Sequence, residues 1–283
     1  LAILDLSPAG HQPMTNADGS LWIVYNGEVY NSREIARELE ARGHTFHSTS
    51  DTEVIVHAYE EWGADCVERF NGMWAFAIWD SRRRELFCSR DRFGVKPFYY
   101  HLAPSGTFVF GSEIKAVLAA GLEARVNRSY AAHVIVTGFF DDGEETFFEG
   151  VKQLLPAHSA RLCDGELTIW RHWRFEPEVA AERYQFDDPA EGIRELLADA
   201  VRIRVLSSDV QVGSCLSGGL DSSTIVSLAS RVQDVPMATF SLQYCDDGYD
   251  ESGYARLVAG EFGCDASYVQ PRSEDFFDVL EKM

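Results

Sequence analysis

Three short segments of this sequence carry side chains whose types and spacing suit chemistry. Leu216-Ser217-Gly218-Gly219-Leu220-Asp221-Ser222-Ser223 falls between a strand-like run, 210–216, and a helix-like run, 222–232. Gly218 and Gly219 let backbone approach an anion closely and offer it N–H groups. Ser217, Ser222 and Ser223 add hydroxyl donors, and a helix N-terminus adds about half a positive charge. A pyrophosphate fits that cradle. Asp221 has the wrong sign for a phosphate, but it suits the Mg²⁺ that accompanies a nucleotide. No Gly-Lys-Ser/Thr is present, so this is not the Walker loop that handles a γ-phosphate. The same residues also serve as ordinary helix caps and turn formers.

The other two segments lie early in the chain. Tyr25-Asn26-Gly27-Glu28-Val29-Tyr30-Asn31 contains Asn-Gly, which taken alone is the strongest short hairpin signal and predicts a turn. Ser48-Thr49-Ser50-Asp51-Thr52-Glu53 reads alone as a helix N-cap with a capping box. Each has a sufficient local explanation, and neither by itself establishes a site.

The elements that must position these segments can be read from periodicity and punctuation. Short strands are predicted at 21–25, 73–79, 85–89, 98–101 and 107–110, and Leu1-Ala2-Ile3-Leu4-Asp5 reads as a strand already under way. Asn31 with Glu34 predicts a helix to Arg42, stopped by Gly43. Ser50 with Glu53 opens a second helix through Trp62. Met73-Trp74-Ala75-Phe76-Ala77-Ile78-Trp79 is expected to be a strand buried on both faces. Polar, acidic residues 176–190, bracketed by Pro177 and Pro189, have linker composition. The expected domains are therefore 1–175, a layered α+β unit, and 191–283, where a helix, strand, helix, strand order starts a parallel α/β sheet.

Composition sets bounds on function. A chain of 283 residues with 46% hydrophobic and 25% charged residues is ordinary folded material, not a disordered or collagen-like one. A net charge of −20 disfavours nucleic acid and anionic lipid as partners. The longest apolar run, 73–79, falls far short of the roughly 18 residues that span a bilayer, so no membrane association and a cytoplasmic location are expected. Six cysteines without paired ligand spacing read as buried thiols, and the scattered histidines are assigned no chemistry. The start at Leu1 and the end at Met283, inside a helix-like run, read as a piece cut from a longer protein.

The Ser-Gly-Gly-Leu-Asp-Ser-Ser string, Ser217 to Ser223, resembles the pyrophosphate loop of the ATP pyrophosphatase superfamily. Asn26-Gly27-Glu28 and Ser50-Asp51 together resemble the glutaminase domain of class II glutamine amidotransferases. More stretches match in the same order: Leu1 to Asp5, Gly10-His11-Gln12-Pro13-Met14, Phe70 to Ala77, Arg90-Asp91-Arg92-Phe93-Gly94-Val95-Lys96-Pro97 and Gly111-Ser112-Glu113-Ile114-Lys115-Ala116. The order over the whole chain is similar to that of the glutamine-hydrolysing asparagine synthetase family.

The resemblance implies an N-terminal-nucleophile hydrolase αββα sandwich followed by part of a doubly wound ATP pyrophosphatase domain. It implies that Asn26 and Gly27 form an oxyanion hole, and that Glu28 and Asp51 hold the α-amino group of glutamine. Leu1, Ala2, Ile3 and Leu4 would line the same pocket through their backbone. In the second domain it implies that Leu216 and Leu242 contact adenosine, that Ser217, Gly218, Gly219, Asp221, Ser222 and Ser223 hold the pyrophosphate, and that Asp221 meets Mg²⁺. The substrates implied are glutamine, aspartate and ATP, and the resemblance allows a homodimer. The family's nucleophile is an N-terminal cysteine placed ahead of Leu1, so these residues alone are expected to be inactive in both half reactions. Three alternatives stay open: a pathway-specific ligase acting on another carboxylate, a ligase fed by free ammonia, and a noncatalytic relative.

Overall fold

The computed structural model describes residues 3–244, 250–272, 274 and 276–280. The chain divides into two compact units, Leu1–Ala180 and Ala181–Met283. In the first, the elements run β1 (Met14–Thr15), β2 (Leu21–Val29), α1 (Ser32–Ala41), α2 (Asp51–Trp62), β3 (Gly72–Asp80), β4 (Glu85–Arg90), β5 (Tyr99–Leu102), β6 (Phe108–Gly111), α3 (Ile114–Leu118), α4 (Arg128–Thr137), β7 (Lys152–Gln153), β8 (His158–Cys163), β9 (Glu166–Arg171) and α5 (Pro177–Arg183). The stretch expected as a linker therefore holds α5. The division at 180/181 falls inside it.

Two antiparallel sheets, ordered β1-β2-β3-β4-β8-β9 and β6-β5-β7, face each other. Alternation along β3 builds both sides of the larger one. Trp74, Phe76 and Ile78 pack with Ile35, Leu39, Val54, Ile55 and Tyr59 of α1 and α2. Ala75 and Ala77 point the other way, against Phe98, Tyr100 and Leu154 of the smaller sheet's side. Small residues on the inter-sheet face let the sheets approach, and large ones on the other face fill the space beneath the helices. With α3 packed beside β5 and β6, the layers are helix, sheet, sheet, helix. The expected double burial of this strand holds from Trp74 to Ile78, whereas Trp79 is exposed.

Three local expectations are corrected. Asn26-Gly27 is not a turn but lies mid-strand, because β2 pairs with β3 without a break from Leu21↔Asp80 to Val29↔Gly72. Asn31 precedes α1 without capping it. Its Nδ2 donates to the Arg69 carbonyl and its Oδ1 accepts from Asn71 N–H, so it pins the entry to β3. Ile3, Leu4 and Asp5 are not strand. Asp5 adopts φ 50°, and its carboxylate accepts from Ser7 and from Thr49 N–H, tying this segment to the loop ahead of α2. Leu1 and Ala2 lie outside the described residues.

The second unit runs α6 (Pro189–Leu206), β10 (Gly213–Cys215), α7 (Leu220–Ala229), β11 (Ala238–Leu242), α8 (Ser252–Glu261), β12 (Asp265–Val269) and α9 (Phe276–Leu280). Strands β10, β11 and β12 are parallel and adjacent in that order. Val201, Leu216, Val226, Ala229, Met237, Ala255 and Ala259 form its core, drawn from α6, α7, α8 and the strand ends. Phe240, Leu242 and Val269, on the sheet's other face or end, are exposed.

Candidate functional site

In the first unit Asn26 sits on the inter-sheet face of β2. It borders a cleft of about 220 Å³ shared with Gln12, Tyr25, Phe76, Phe98, Phe110 and Ser112. Asn26 Nδ2 donates to Ser112 Oγ at 3.3 Å. Gln12 Oε1 accepts from Tyr25 N–H at 2.6 Å, and Gln12 Nε2 donates to Thr52 Oγ1 at 3.3 Å, linking the cleft to the first turn of α2. The stacked rings of Phe98 and Phe110, 5.5 Å apart, form an apolar wall.

Gly27 is required by close approach. A Cβ there would lie 2.2 Å from Met73 O, 2.7 Å from Tyr25 Cε2 and 2.8 Å from Trp74 Cα. The missing side chain lets the Tyr25 ring lie over the glycine. Tyr25 OH then donates to Asp51 Oδ2 at 2.9 Å, and the same oxygen accepts from Val29 N–H at 2.9 Å. Asp51, the first residue of α2, thus clamps both ends of the Asn26-Gly27-Glu28 segment. Burial raises the Asp51 pKa against the opposing pull of these hydrogen bonds. Burial, then the adjacent Asp51 charge, pushes the Tyr25 pKa well up, so the phenol keeps its proton and remains the donor. Ser50 Oγ caps α2 by accepting from Thr52 N–H, as its sequence predicts, while Glu53 accepts from His47 and Ser48.

The structure therefore gathers Asn26, Gly27, Glu28 and Asp51 along one strand and the helix end beneath it. Glu28 is buried. Ile3 and Leu4 are half-buried and do not line the cleft. Gln12 and Ser112 are contributors whose contacts the sequence conceals. Both stand in stretches that match the family, but their partners Tyr25 and Asn26 are 13 and 86 residues away. The Arg90 to Pro97 stretch forms a structural loop. Asp91 is buried and accepts from Trp74, Phe93, Val95 and Lys96 N–H groups.

None of Cys66, Cys88 and Cys163 is an activated thiol beside this cleft. Cys66 and Cys88 are buried and their pKa values pushed far up by desolvation, and the Cys163 pKa is also raised. Cys245 lies outside the described residues. The histidines, to which the sequence assigned no chemistry, include His44 and His57, whose ring nitrogens lie with a Glu60 carboxylate oxygen within 4.8 Å of one another.

In the second unit a cavity of about 500 Å³ opens at the carboxyl ends of the parallel strands, where α/β sheets place ligands. Leu216, Ser217, Ser241, Leu242, Tyr244 and Glu251 line it, so Leu216, Ser217 and Leu242 share one wall. Asp250 Oδ2 accepts from Ser252 Oγ at the start of α8, while neighbouring Glu251 faces the cavity.

The loop after β10 turns at Gly218, whose φ of +88° and approach to α8 admit no side chain: a Cβ would lie 2.6 Å from Tyr254 Cβ. Ser217 Oγ lies 3.0 Å from Ser222 Oγ and accepts from Gly219 N–H. Gly219 caps α7 without a side-chain hydrogen bond. Ser223 Oγ is shielded and has no hydrogen-bond partner among the described residues. Asp221 is exposed in the first turn of α7 and, among the described residues, no ion pair neutralises it.

The comparisons with known proteins agree with both halves. The family described as "Glutamine amidotransferase domain" matches residues 1–173, and "Asparagine synthase" matches 192–283. A glutamine-hydrolysing asparagine synthetase 3 of Bacillus subtilis is 41% identical over 98% of this chain and 45% of its own length. A putative glutamine-hydrolysing asparagine synthetase 2 of Methanocaldococcus jannaschii is 36% identical over 100% of this chain and 57% of its own length. An amidase of Penicillium rubens is 32% identical over 97% of this chain and 42% of its own length. The chain thus spans about half the length of the curated relatives it matches. Among the described residues no helix is long and apolar enough to cross a membrane. With the larger match running through its N-terminal sandwich, the chain belongs to the glutamine amidotransferase domain family, joined in sequence to residues that match the asparagine synthase family.

Proposed function

We propose that this chain serves glutamine-dependent synthesis of asparagine, with amide hydrolysis in the first unit and ATP-dependent activation of aspartate in the second. The observation that carries this is one chain holding both a strand-borne Asn26-Gly27 pair, of which Asn26 lines a cleft, and a Ser217–Ser223 loop, of which Ser217 lines a cavity at the strand ends.

In the first half reaction a cysteine thiolate of the kind the family uses attacks the glutamine carboxamide. Negative charge then develops on the carbonyl oxygen, which Asn26 Nδ2 and Gly27 N–H stabilise. Removing one such donor typically costs about 10²- to 10³-fold in rate. Collapse of the tetrahedral adduct expels ammonia and leaves a thioester that water hydrolyses to glutamate. Glu28 and Asp51 offer the negative charge that holds the substrate's α-ammonium group. The apolar Phe98, Phe110, Ala75 and Ala77 walls of the cleft suit neutral ammonia rather than ammonium, whose lone pair is blocked by its proton.

In the second, the β-carboxylate of aspartate attacks the α-phosphorus of ATP, pyrophosphate leaves, and ammonia displaces AMP from the β-aspartyl-AMP formed. Ser217, Gly218, Gly219, Ser222 and Ser223 receive the pyrophosphate at the α7 N-terminus. Leu216 and Leu242 line the adenosine side of the cavity. Asp221 fits Mg²⁺, being an exposed hard oxygen donor with no neutralising partner among the described residues. Bound there, the ion would offset charge on the leaving pyrophosphate.

The similarity to a fungal amidase supports a second reading, amide formation on a different carboxylate. The full-length protein incubated with Mg-ATP and glutamine, with and without aspartate, separates the two. Aspartate-dependent AMP with asparagine supports the first reading, and AMP formed only with another carboxylate supports the second. Asn26→Ala should lower glutaminase activity by about 10²-fold or more while ammonia-driven synthesis survives. Equal loss of both would remove Asn26 from the oxyanion role.

A further inference from the structure

Outside both sites, the fold gathers a set of groups that the sequence leaves dispersed. His44 lies in the loop between α1 and α2, while His57 and Glu60 lie one turn apart on α2. His44 Nδ1 and His57 Nδ1 are 3.0 Å apart, His57 Nδ1 and Glu60 Oε2 are 3.5 Å apart, and His44 Nδ1 and Glu60 Oε2 are 4.0 Å apart. The same three atoms form every side of this triangle. The point equidistant from them is about 2.1 Å from each, which is the length of a zinc–imidazole or zinc–carboxylate bond.

The outward-facing nitrogens supply an independent observation. His44 Nε2 lies 3.3 Å from Glu61 Oε2, and Glu61 Oε1 in turn accepts from Arg42 Nη1. His57 Nε2 lies 3.8 Å from Glu53 Oε1. Glu60 Oε1, the oxygen not in the triangle, accepts from Asn16 Nδ2 at 3.3 Å. Each imidazole thus turns Nδ1 inward; His44 Nε2 meets its carboxylate at hydrogen-bond distance, the arrangement by which an outer partner fixes the tautomer and orientation of a metal-ligating histidine, and His57 Nε2 faces Glu53 at ion-pair distance. A proton on His44 Nε2, shared with Glu61, leaves the Nδ1 lone pair free to bind.

We infer that His44, His57 and Glu60 form a binding site for a divalent transition ion of the zinc type. Two imidazoles and one carboxylate match that class and not Mg²⁺ or Ca²⁺, which prefer oxygen donors throughout. As the ion takes both Nδ1 lone pairs, the proton they share moves by tautomerisation to His57 Nε2, which faces Glu53, and water completes the coordination. The ion fastens the α1–α2 loop to α2 at Glu60. That residue lies about 13 Å along the helix axis from Asp51, so the clip is separate from the glutamine cleft.

The test uses the full chain, stripped with chelator and titrated with zinc chloride alone by equilibrium dialysis. Cobalt(II) absorption then reports the ligand type. One zinc per chain is expected, without a sulfur-to-cobalt charge-transfer band. Glu61→Gln should weaken binding by about 10- to 100-fold, and His44→Gln or Glu60→Gln by more, with far-UV circular dichroism of the metal-free variants unchanged. His44 and Glu60 are not in the deep core, so these variants keep the test valid even where a His57 variant fails to fold. Binding unchanged in both variants, a cobalt–sulfur band from exposed Cys215, or no zinc retained at micromolar concentration would overturn the assignment.

Discussion

Replacing Gly27 by alanine tests the account of the first unit directly. The new Cβ meets Met73 O at 2.2 Å, Tyr25 Cε2 at 2.7 Å and Trp74 Cα at 2.8 Å. Two of these are backbone atoms of β3, so rotation of a side chain cannot relieve them. Separating β2 from β3 costs roughly 1–3 kcal/mol, the usual range for overpacking. If Tyr25 swings aside as well, its hydroxyl leaves Asp51 Oδ2 short of a donor in a buried setting, at about 1–3 kcal/mol more. A total near 4 kcal/mol should lower the melting temperature of a unit of this size by about 8–16 °C. Tryptophan fluorescence reports it, since Trp74 pairs with Gly27. The same substitution shifts the Gly27 N–H, and a misplacement near 1 Å costs roughly 10²-fold in rate, so glutaminase activity of the full-length protein should fall alongside. A variant within about 0.5 kcal/mol of the parent, the range of an inert surface change, would refute the close β2–β3 approach.

Other perturbations probe the supports around that strand and the second unit. Asp91→Asn sets an amide donor against N–H groups that now converge on a carboxylate, and should lower the urea midpoint by the equivalent of about 1–3 kcal/mol; an unchanged midpoint would deny the loop its anchor. Asp51 is held above its ordinary pKa by burial, so the folded chain binds its proton more tightly than the unfolded one. Its contribution to stability is therefore complete in acid and declines as pH rises from the unfolded pKa through the folded one. Asp51→Asn should accordingly compare better with the parent at pH 7 than at pH 3 in urea unfolding, and a pH-independent difference would contradict this. Asp221→Asn in the full-length protein should suppress AMP formation with either glutamine or ammonia, and wild-type AMP formation would remove Asp221 from the Mg²⁺ role.

What the sequence reveals here is what local physics controls. The Ser50 cap and the apolar spacing of Val54, Ile55 and Ala58 place α2 to within a residue. The Gly-Gly break between a strand and a helix places the second-unit loop, with its positive-φ turn at Gly218. Nonlocal pairing escapes such reading. Asn-Gly favours a turn in isolation, but nine paired residues on β3 override that preference. Strands β8 and β9 are concealed because partly exposed, polar positions interrupt their apolar pattern. His44 and His57 have no ligand spacing in the chain; the turn between α1 and α2 brings them together.

The position of Asn26-Gly27 inside a central strand, and not at a loop tip, bears on how the pair would act. A donor in a loop must be ordered when charge develops on the substrate, and that ordering subtracts from the stabilisation it gives. Here β2 pairs with β3 over its whole length, its Tyr25 N–H is held by Gln12, and Val29 N–H is held by Asp51. The donors are fixed before any substrate arrives, the condition under which hydrogen bonds aimed at a developing oxyanion contribute most. The sequence cost of this arrangement is the glycine itself: only a residue without Cβ admits the Tyr25 ring above it and the β3 backbone beside it. A turn-like dipeptide of the first unit is thus explained by packing at a rigid strand, and the proposed chemistry at Asn26 depends on that rigidity.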